Sequence, residues 1–215
     1  MRYLDIESWN RKEHYSYFKK LDYPHFSICG NIDITEFSRF VKENGISFFL
    51  AFLYASVKVA NSIEEFRYRI RQDNVVVFDK VSPSFTMMTS REVFGFCTAE
   101  FEDSYKEFYS NASREIEKAK DRASIKDEPG RDDLLYITSI PWVSFTNITH
   151  PIQMRPVDSI PRISWGKYFE ENGRVKLPLS VQAHHALVDG AHVGQYFMKL
   201  QGILDSPEST FKLNN

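Results

Sequence analysis

The sequence predicts an α/β fold in which a mixed β-sheet is covered by helices on one side. Segments with the period-2 alternation of strands and segments with the spacing of amphipathic helices are interspersed along the chain without strict alternation. Hydrophobic residues make up 42% and aromatic residues 15% of the 215 positions, which is ample for a core. Because no Pro/Gly/Ser-rich linker or shift in composition divides the chain, we expect a single domain over residues 1–215.

The first part of the chain predicts helices with recognisable starts. Residues 3–21 indicate an opening strand and a short helix, and residues 26–34 alternate weakly, as a strand does. Thr35 is a candidate N-cap for a helix over 36–42, and Ser47 is a candidate N-cap for the next helix. The apolar residues of that second helix recur at helical spacing, so we expect it to be buried.

The middle of the chain predicts further strands around one long helix. Runs rich in β-forming residues cover 75–78, 85–89 and 93–98, with turn residues between them. Apolar positions at helical spacing from Phe101 to Ala119 then mark a long amphipathic helix. Strands are expected over the segments that follow, which are 134–140, 143–148 after a break at Pro141-Trp142, and 160–168.

The last predicted strand leads to two adjacent histidines. From Leu177 to Ala183 the apolar residues fall on odd positions, which predicts a strand with one buried face. By this parity His185 lies on the buried face and His184 points the other way. Gly190 follows in a tight turn. Apolar residues beyond it recur at helical spacing, namely Val193, Phe197, Leu200 and Leu204.

His185 is the residue best placed for chemistry, because it stands where a strand ends and a helix follows. An imidazole exchanges protons near neutral pH, so it can take a proton from a hydroxyl and return it to a leaving group. It could instead be a structural core histidine, or a metal ligand together with Asp189 and His192. We do not expect a metal, because Gly190 and the strand-to-helix change separate these residues and no second cluster supplies further ligands.

Asp189 follows His185 by four residues and is compatible with two roles. Its carboxylate could orient the imidazole directly, as in a catalytic triad. It could also hold the turn by pairing with a cation elsewhere in the chain. The spacing alone does not choose between the two.

Charge and cysteine content argue against several classes of function. The formal net charge is -2 and the pI is near 6.3, without a basic stripe, so a nucleic acid or a membrane surface is not expected as the main partner. Cys29 and Cys97 are isolated thiols without a CxxC pattern, which suits a reducing compartment. The polar start and the lack of an apolar run of spanning length favour a cytoplasmic protein.

Residues 184–190 read His-His-Ala-Leu-Val-Asp-Gly and resemble the HHxxxDG motif of the CoA-dependent acyltransferase superfamily. Chloramphenicol acetyltransferases, the catalytic cores of dihydrolipoamide acyltransferases and the condensation domains of peptide synthetases share this motif. The chain is much too short for a condensation domain. Further segments resemble the chloramphenicol acetyltransferase family in the same order and at nearly the same spacing, and they are 9–14 (WNRKEH), 33–35 (DIT), 65–67 (EFR), 141–145 (PWVSF), 166–168 (GKY) and 177–182 (LPLSVQ).

The resemblance implies a CoA-dependent acyltransferase fold, a two-layer sandwich that assembles as a homotrimer with its sites at subunit boundaries. It implies an O-acetyltransferase that uses acetyl-CoA as co-substrate, holds no permanent cofactor and acts on chloramphenicol or a similar small alcohol. His185 would be the general base, and Thr138 would replace the family's oxyanion-stabilising serine. Asp189 would be structural, paired with Arg11.

The resemblance also marks positions that would bind the two substrates. Four residues match positions that line the CoA channel or face its phosphates, namely Trp142, Ser164, Lys167 and Tyr168. Ser47 stands where the family often has a second lysine, so one phosphate contact is missing. Four further residues match the acceptor pocket, namely Phe94, Ile125, Ile148 and His150.

Departures from the family pattern keep two alternatives open. Ile125, Ile148 and His150 replace the aromatic and leucine residues expected there, which motivates the hypothesis of a different small-molecule acceptor. Thr138 and Ser47 motivate the hypothesis of a non-catalytic relative that binds CoA. A dihydrolipoamide acyltransferase core is disfavoured, because the local motifs match the antibiotic-modifying family better.

Overall fold

The computed structural model describes residues 1–120, 124–125 and 130–213. Its strands, numbered in chain order, are β1 (Arg2–Tyr3), β2 (His25–Asp33), β3 (Tyr68–Arg71), β4 (Asn74–Val77), β5 (Ser82–Met88), β6 (Phe94–Thr98), β7 (Leu134–Ser139), β8 (Arg162–Trp165), β9 (Phe169–Glu171) and β10 (Arg174–His184). Its α-helices are α1 (Lys12–Phe18), α2 (Thr35–Glu43), α3 (Phe48–Asn61), α4 (Tyr105–Ala119), α5 (Gly190–Asp205) and α6 (Glu208–Phe211). A 3₁₀ helix, Glu64–Arg67, precedes β3.

One mixed sheet forms the centre of the fold. Its strand order is β2-β10-β8-β7-β5-β6, and β9 pairs with β10. The strand β7 runs parallel to β5 and β8, whereas β10 runs antiparallel to β2 and β8, and β6 runs antiparallel to β5. A smaller antiparallel sheet has the order β1-β4-β3. The predicted class, α/β with a mixed sheet and helices, is confirmed.

One face of the main sheet is apolar and packs against helices. Residues directly opposite each other on neighbouring strands share a face, and Val181 of β10 is opposite Ile28 of β2 and Ile163 of β8. In the next row on this face, the Trp165 ring lies 4.9 Å from the ring of Phe52 in α3. The helix α3 is buried along almost its whole length, and α5 contacts both α3 and β2.

The opposite face of the sheet is polar. Ser180 of β10 is opposite Cys29 of β2 and Ser164 of β8, and Ser164 is opposite Thr138 of β7. We call these four residues the polar row. A segment without regular helix or strand, residues 145–159, lies against this face through hydrogen bonds to side chains of β2, β8 and β10, and we call it the covering loop.

Both faces of β10 are buried, so the prediction of one buried face is wrong. Every residue from Leu177 to His184 is buried, including Ser180 and Gln182. The strand lies between β2 and β8, and the covering loop shields its polar side. The alternation of apolar and polar residues therefore predicts correctly which residues share a face of the strand. It does not predict whether the polar face is exposed to solvent.

The helix starts agree only in part with their prediction. Ser47 caps α3 by accepting a hydrogen bond from the Leu50 amide at 3.3 Å, as predicted. Thr35 is not a cap but the first residue of α2, because its amide and hydroxyl both donate to the carboxylate of Asp33, at 2.9 and 2.7 Å. The long amphipathic helix begins at Tyr105 rather than Phe101. Within the described ranges, no helix has the length and apolarity needed to cross a membrane.

Residues 143–148 do not form the predicted strand. After Pro141 the chain leaves the sheet, and the Val143 carbonyl accepts a hydrogen bond from the Lys167 amide at 2.8 Å instead of joining a strand ladder. Further on, the Ile148 carbonyl accepts from the Ser27 hydroxyl at 3.3 Å. Because such bonds to loops and side chains satisfy these backbone groups, no strand pairing is needed there.

Arg69 joins the small sheet to the start of β7. Its side chain is fully buried, and its guanidinium donates to the backbone carbonyls of Phe66 at 3.0 Å, Tyr68 at 2.5 Å and Asp132 at 2.7 Å, and to that of Leu134. Burial lowers the pKa of Arg69 to about 10, so the group is still a cation at neutral pH. Its charge is stabilised by four carbonyl dipoles, which fix the two sheets relative to each other.

Candidate active site

His185 is the first residue after β10, and aromatic rings hold its imidazole. The ring is stacked on Phe18 at a centroid distance of 4.0 Å and an angle of 3°, and it lies 4.5 Å from Phe26. Its amide donates to the Pro24 carbonyl at 2.7 Å, and its carbonyl accepts from Arg11 Nη2 at 3.3 Å. The strand ends at His184, and the half-buried ring of His185 lies beside Phe26, the register partner of Ala183 on the apolar face, which agrees with the side that parity predicts.

The two nitrogens of His185 differ in their surroundings. Nδ1 is buried and has no hydrogen-bond partner among the described residues. Nε2 is therefore the nitrogen that a substrate hydroxyl can approach. Because the backbone is fixed on both sides and two aromatic rings limit rotation, the imidazole has a defined orientation.

His184 is a structural residue next to the candidate base. Its side chain is buried, its Nδ1 accepts from the Ala186 amide at 3.2 Å, and its ring lies edge-on to His25 at 5.0 Å. Burial, together with the neighbouring His25 and His185, lowers the pKa of His184 to about 3. The residue is therefore neutral over the physiological range and supports the strand end rather than exchanging protons.

Asp189 pairs with Arg11 and caps α5. Its Oδ2 accepts from Arg11 Nη1, and its Oδ1 accepts from the amides of Ala191 at 2.9 Å and His192 at 3.4 Å. His192 Nδ1 in turn accepts from the Asp189 amide at 3.1 Å, which completes a capping box. Although burial acts in the opposite direction, His192 and Arg11 lower the pKa of Asp189. Of the two roles left open by spacing, pairing with a cation is the arrangement in the structure, and Asp189 makes no hydrogen bond to the His185 ring.

Asp189 and His192 are thus committed to the start of a helix rather than to a metal. In the part of the chain that the structure describes, no group of three or more His, Cys, Asp or Glu side chains is arranged to hold a metal ion. Cys29 and Cys97 are free thiols, and burial raises the pKa of Cys97 to about 11.

Thr138, Ser164 and His150 come together on the polar face. Thr138 and Ser164 are direct neighbours in the polar row. His150 lies above them in the covering loop, with its Nε2 at 2.7 Å from the hydroxyl of Ser164. Its amide donates to the Gln182 side chain at 2.9 Å, so this half-buried ring is not a surface residue. Ile148 lies in the same loop, bonded through its carbonyl to Ser27.

Three of the residues matched to CoA positions lie at the carboxyl ends of β7 and β8. Trp142 follows β7 and is 68% exposed, and Lys167 and Tyr168 follow β8 and are also exposed. The two loops are joined by the bond between Lys167 and Val143. Gly166 is required at this contact, because a Cβ there would lie 2.6 Å from the Val143 carbonyl oxygen. Ser164 differs from the other three in being buried within the sheet.

Phe94 and Ile125 lie apart from the other residues matched to the acceptor pocket. Phe94 begins β6 at one margin of the sheet, and Ile125 is near it, since the Phe96 amide donates to the Ser124 carbonyl at 2.8 Å. Both side chains are exposed, at 49% and 66%. Ile148 and His150 are hydrogen-bonded to β2 and β8, which are separated from β6 in the sheet. Within one chain, the four residues matched to the acceptor pocket therefore form two separate groups.

His185 and Thr138 are far apart within one chain. Thr138 is in the row of Ser180, two strands away from β10, and His185 is five residues further along from Ser180. With about 3.3 Å per residue and about 4.8 Å between strands, their Cα atoms are roughly 20 Å apart. Lys167, and Trp142 in the loop bonded to it, lie beside the N-terminal half of β10, level with Pro178 or earlier, so they are further still from His185.

Some residues around His185 were not predicted from the sequence. Phe26 lies in a strand whose alternation gave a weak signal, and Phe18 lies in a short helix that gave none for this role. The contact of Tyr23 with Gln182 was not predicted either, and there the Tyr23 hydroxyl accepts from Gln182 Nε2 at 3.1 Å. These contacts join segments distant in the chain, and only the fold brings them together.

Comparison with known proteins identifies several relatives. The model of the family described as chloramphenicol acetyltransferase matches residues 1–201. A chloramphenicol acetyltransferase from Clostridium perfringens is 30% identical over 209 residues, which is 96% of this chain and 95% of the relative. One from Klebsiella sp. is 29% identical over 203 residues, covering 94% and 93% of the two chains.

Solved structures show the same architecture. A chloramphenicol acetyltransferase structure has a TM-score of 0.84 and 28% identity, and covers 94% of this chain and 99% of its own. The dihydrolipoamide acetyltransferase of Azotobacter vinelandii has a TM-score of 0.67 at 18% identity, over 93% of this chain and 88% of its own, and this indicates a shared fold.

Proposed function

The chain belongs to the chloramphenicol acetyltransferase family, a family of acyltransferases, and from this premise we propose that it transfers acetyl from acetyl-CoA to a hydroxyl of chloramphenicol or a similar small alcohol. The observation that carries the proposal is the held imidazole of His185 at the end of β10, with Nδ1 buried and Nε2 left for a substrate. We assign His185 the role of general base.

The reaction needs only groups present in this chain and its two substrates. His185 Nε2 takes the proton of the acceptor hydroxyl as its oxygen attacks the thioester carbonyl of acetyl-CoA. The hydroxyl of Thr138 donates to the oxyanion of the tetrahedral intermediate, a contact typically worth about 10²–10³ in turnover. The intermediate then releases CoA as a thiolate, which takes the proton back from the His185 imidazolium. The products are the acetyl ester and free CoA, and the enzyme returns to its starting state.

Acetyl-CoA acts as a co-substrate, and we propose that the exposed group at the ends of β7 and β8 binds it. Trp142 and Tyr168 offer aromatic surface, and Lys167 offers a positive charge for phosphate. Ser164 lies deeper, beside Thr138, where the thioester end of the molecule would arrive. Ser47 supplies no positive charge for a phosphate. Its hydroxyl instead caps the helix α3.

We further propose that the complete site is shared between chains of a homotrimer. The roughly 20 Å between His185 and Thr138 in one chain is too long for both to contact the same reacting atoms, which needs approaches of about 3 Å. In a site formed by His185 of one chain and Thr138 of its neighbour, both residues can contact the same reacting atoms. Such a site can also bring together the two groups of residues matched to the acceptor pocket. Asp189 then acts through Arg11, which fixes the turn that carries His185.

The test is the release of free CoA thiol from acetyl-CoA, measured with and without chloramphenicol. Wild-type protein should give chloramphenicol-dependent release, and His185→Ala should reduce it by at least about 10²-fold. The exposed His14→Ala is the matched control and should keep its activity. CoA binding without thioester cleavage on any acceptor would favour the non-catalytic alternative.

A different small-alcohol acceptor is the second candidate, and His150 favours it. A polar ring bonded to Ser164 inside the pocket changes which acceptor fits, compared with an apolar side chain. Ile148 beside it and Ile125 near Phe94 give aliphatic walls. A panel of small alcohols in the same thiol assay ranks the acceptors, and a signal from another alcohol without one from chloramphenicol would select this candidate.

We propose a cytoplasmic location on the basis of two free thiols, which suit a reducing compartment. We also propose that residues 1–215 act as one domain, since the family model extends over 1–201 without a break.

A further inference from the structure

The imidazole of His150, in the covering loop, contacts the polar row, and hydrogen bonds of its ring and of its backbone hold this residue in place. His150 Nε2 is 2.7 Å from Ser164 Oγ, and the His150 amide donates to Gln182 Oε1 at 2.9 Å. Gln182 is itself fixed, because its Nε2 donates to the Tyr23 hydroxyl. The ring therefore has little freedom to leave Ser164.

The neighbouring hydroxyl protons can be assigned by counting donors and acceptors. A serine has one proton, and the proton of Ser27 goes to the Ile148 carbonyl at 3.3 Å. With the Ser27 proton directed to Ile148, Ser180 is the donor in the bond of 3.0 Å between Ser27 and Ser180. Ser180, the neighbour of Ser164 in the polar row, has thus used its proton on the side away from Ser164.

His150 Nε2 is the hydrogen-bond partner of Ser164, as donor or as acceptor according to its tautomer. Among the described residues, His150 Nε2 is the group that comes within hydrogen-bond distance of Ser164 Oγ. Burial, followed by the charge of Arg162, lowers the pKa of His150, which favours a neutral ring with a single N–H. Its two tautomers would have opposite effects. An Nδ1–H ring accepts the serine proton, whereas an Nε2–H ring donates and leaves that proton free.

We propose that His150 is a positioning residue for the acyl transfer, in the Nε2–H tautomer, donating to Ser164 so that the serine proton faces Thr138. The proposal rests on the proposed function. Thr138 and Ser164 are opposite each other on strands about 4.8 Å apart, so their hydroxyls border one space. With the Ser164 proton directed into that space, Thr138 does not have to donate to Ser164, and its own proton is available for the oxyanion.

The first experiment reads the tautomer and needs no catalysis. Nitrogen NMR of protein labelled in its histidines distinguishes a protonated Nε2 from a protonated Nδ1, and the His150→Gln variant assigns the signal by its loss. We expect a proton on Nε2, and a change in the nitrogen shifts in Ser164→Ala. A proton on Nδ1 would overturn the proposal, even if acetyl transfer is observed. A missing acetyl transfer with the expected tautomer would count against the proposed function instead.

The second experiment measures kcat in a double-mutant cycle. His150→Leu should reduce kcat roughly tenfold, less than the 10²–10³ typical for loss of an oxyanion donor. Adding His150→Leu to Ser164→Ala should cause no further loss, and His150→Gln, which keeps a donor at this reach, should restore at least a third of kcat. The KM for acetyl-CoA should change less than about twofold in these variants.

Thr149→Val is the matched control, because it makes a neighbouring residue of the same loop apolar and this residue is exposed. It should keep the kcat of the wild type, and thermal unfolding of each variant checks the fold. Losses that add up in the double variant, or equal losses in His150→Gln and His150→Leu, would show that His150 does not act through Ser164.

Discussion

Two impaired variants of this chain, His185→Ala and Thr138→Val, are expected to restore activity when they are produced together. The two residues are roughly 20 Å apart in one chain, so a site that uses both takes them from different copies. Each variant alone lacks one of the two groups at every site. In a mixed assembly, some interfaces combine the intact His185 of one chain with the intact Thr138 of its neighbour.

The expected recovery follows from random assembly. In a closed ring with equal amounts of both variants, each site draws its histidine and its threonine from two independent chains, so about one quarter of the sites are intact. The chains carry different affinity tags and are expressed together, and assemblies that carry both tags are isolated. Free CoA release per chain should then reach about a quarter of the wild-type value or somewhat more, since assemblies of a single variant are removed.

Two controls make this result decisive. His185→Ala chains that carry the two tags and are co-expressed should show no recovery, which excludes an effect of the tags. The separately purified variants, mixed in equal amounts without exchange of chains, should show only the mean of their two activities per chain. Mixed assemblies no more active than the better parent would refute the shared site, and with it the role of either Thr138 or His185.

Two further predictions concern stability. Arg69→Met should lower the free energy of unfolding by about 3 kcal/mol or more, because four buried carbonyls lose their donor. Urea unfolding measures this loss, and the substitution Arg2→Met at an exposed arginine is the control. Equal losses in the two variants would contradict the role of Arg69. Stability should also decline in acid, because three histidines, His25, His150 and His184, have a lowered pKa in the folded chain. Below about pH 6.5 the unfolded chain takes up these protons first, so unfolding becomes easier by up to about 1.4 kcal/mol per pH unit for each histidine, and for His184 this continues down to about pH 3. Urea unfolding at pH 7.5 and pH 5 measures how the free energy of unfolding changes with pH. An unchanged pH dependence in a His184→Gln variant would show that His184 does not contribute to it.

Sequence patterns predict the elements whose stability is decided locally. The cap of Ser47 on α3 and the helix after Gly190 follow from hydrogen bonding and apolar spacing within a few residues. The pairing of Arg11 with Asp189 is different, since 178 positions separate the two residues. Resemblance to a family, rather than physical pattern, indicated that pair, and spacing alone left the role of Asp189 open.

The missed features depend on packing between distant segments. Burial of both faces of β10 depends on a covering loop that has no periodicity of its own. The stacking of Phe18 on His185 joins a short helix to a strand end. The predicted strand at 143–148 was wrong because its β-forming residues bond to a loop and to side chains. In each case, tertiary contacts outweigh local preference.

The two faces of the main sheet differ in how much substitution the segments packed against them can tolerate. The apolar face is packed against α3, where Phe52 and Trp165 interlock, and a change of volume there propagates through a dense core. The covering loop is attached to the sheet by hydrogen bonds such as those of Ile148 and His150, each worth about 1 kcal/mol net. Substitutions in this loop can therefore accumulate without disrupting the helical layer, and under the proposed function each of them is a route to a different acceptor.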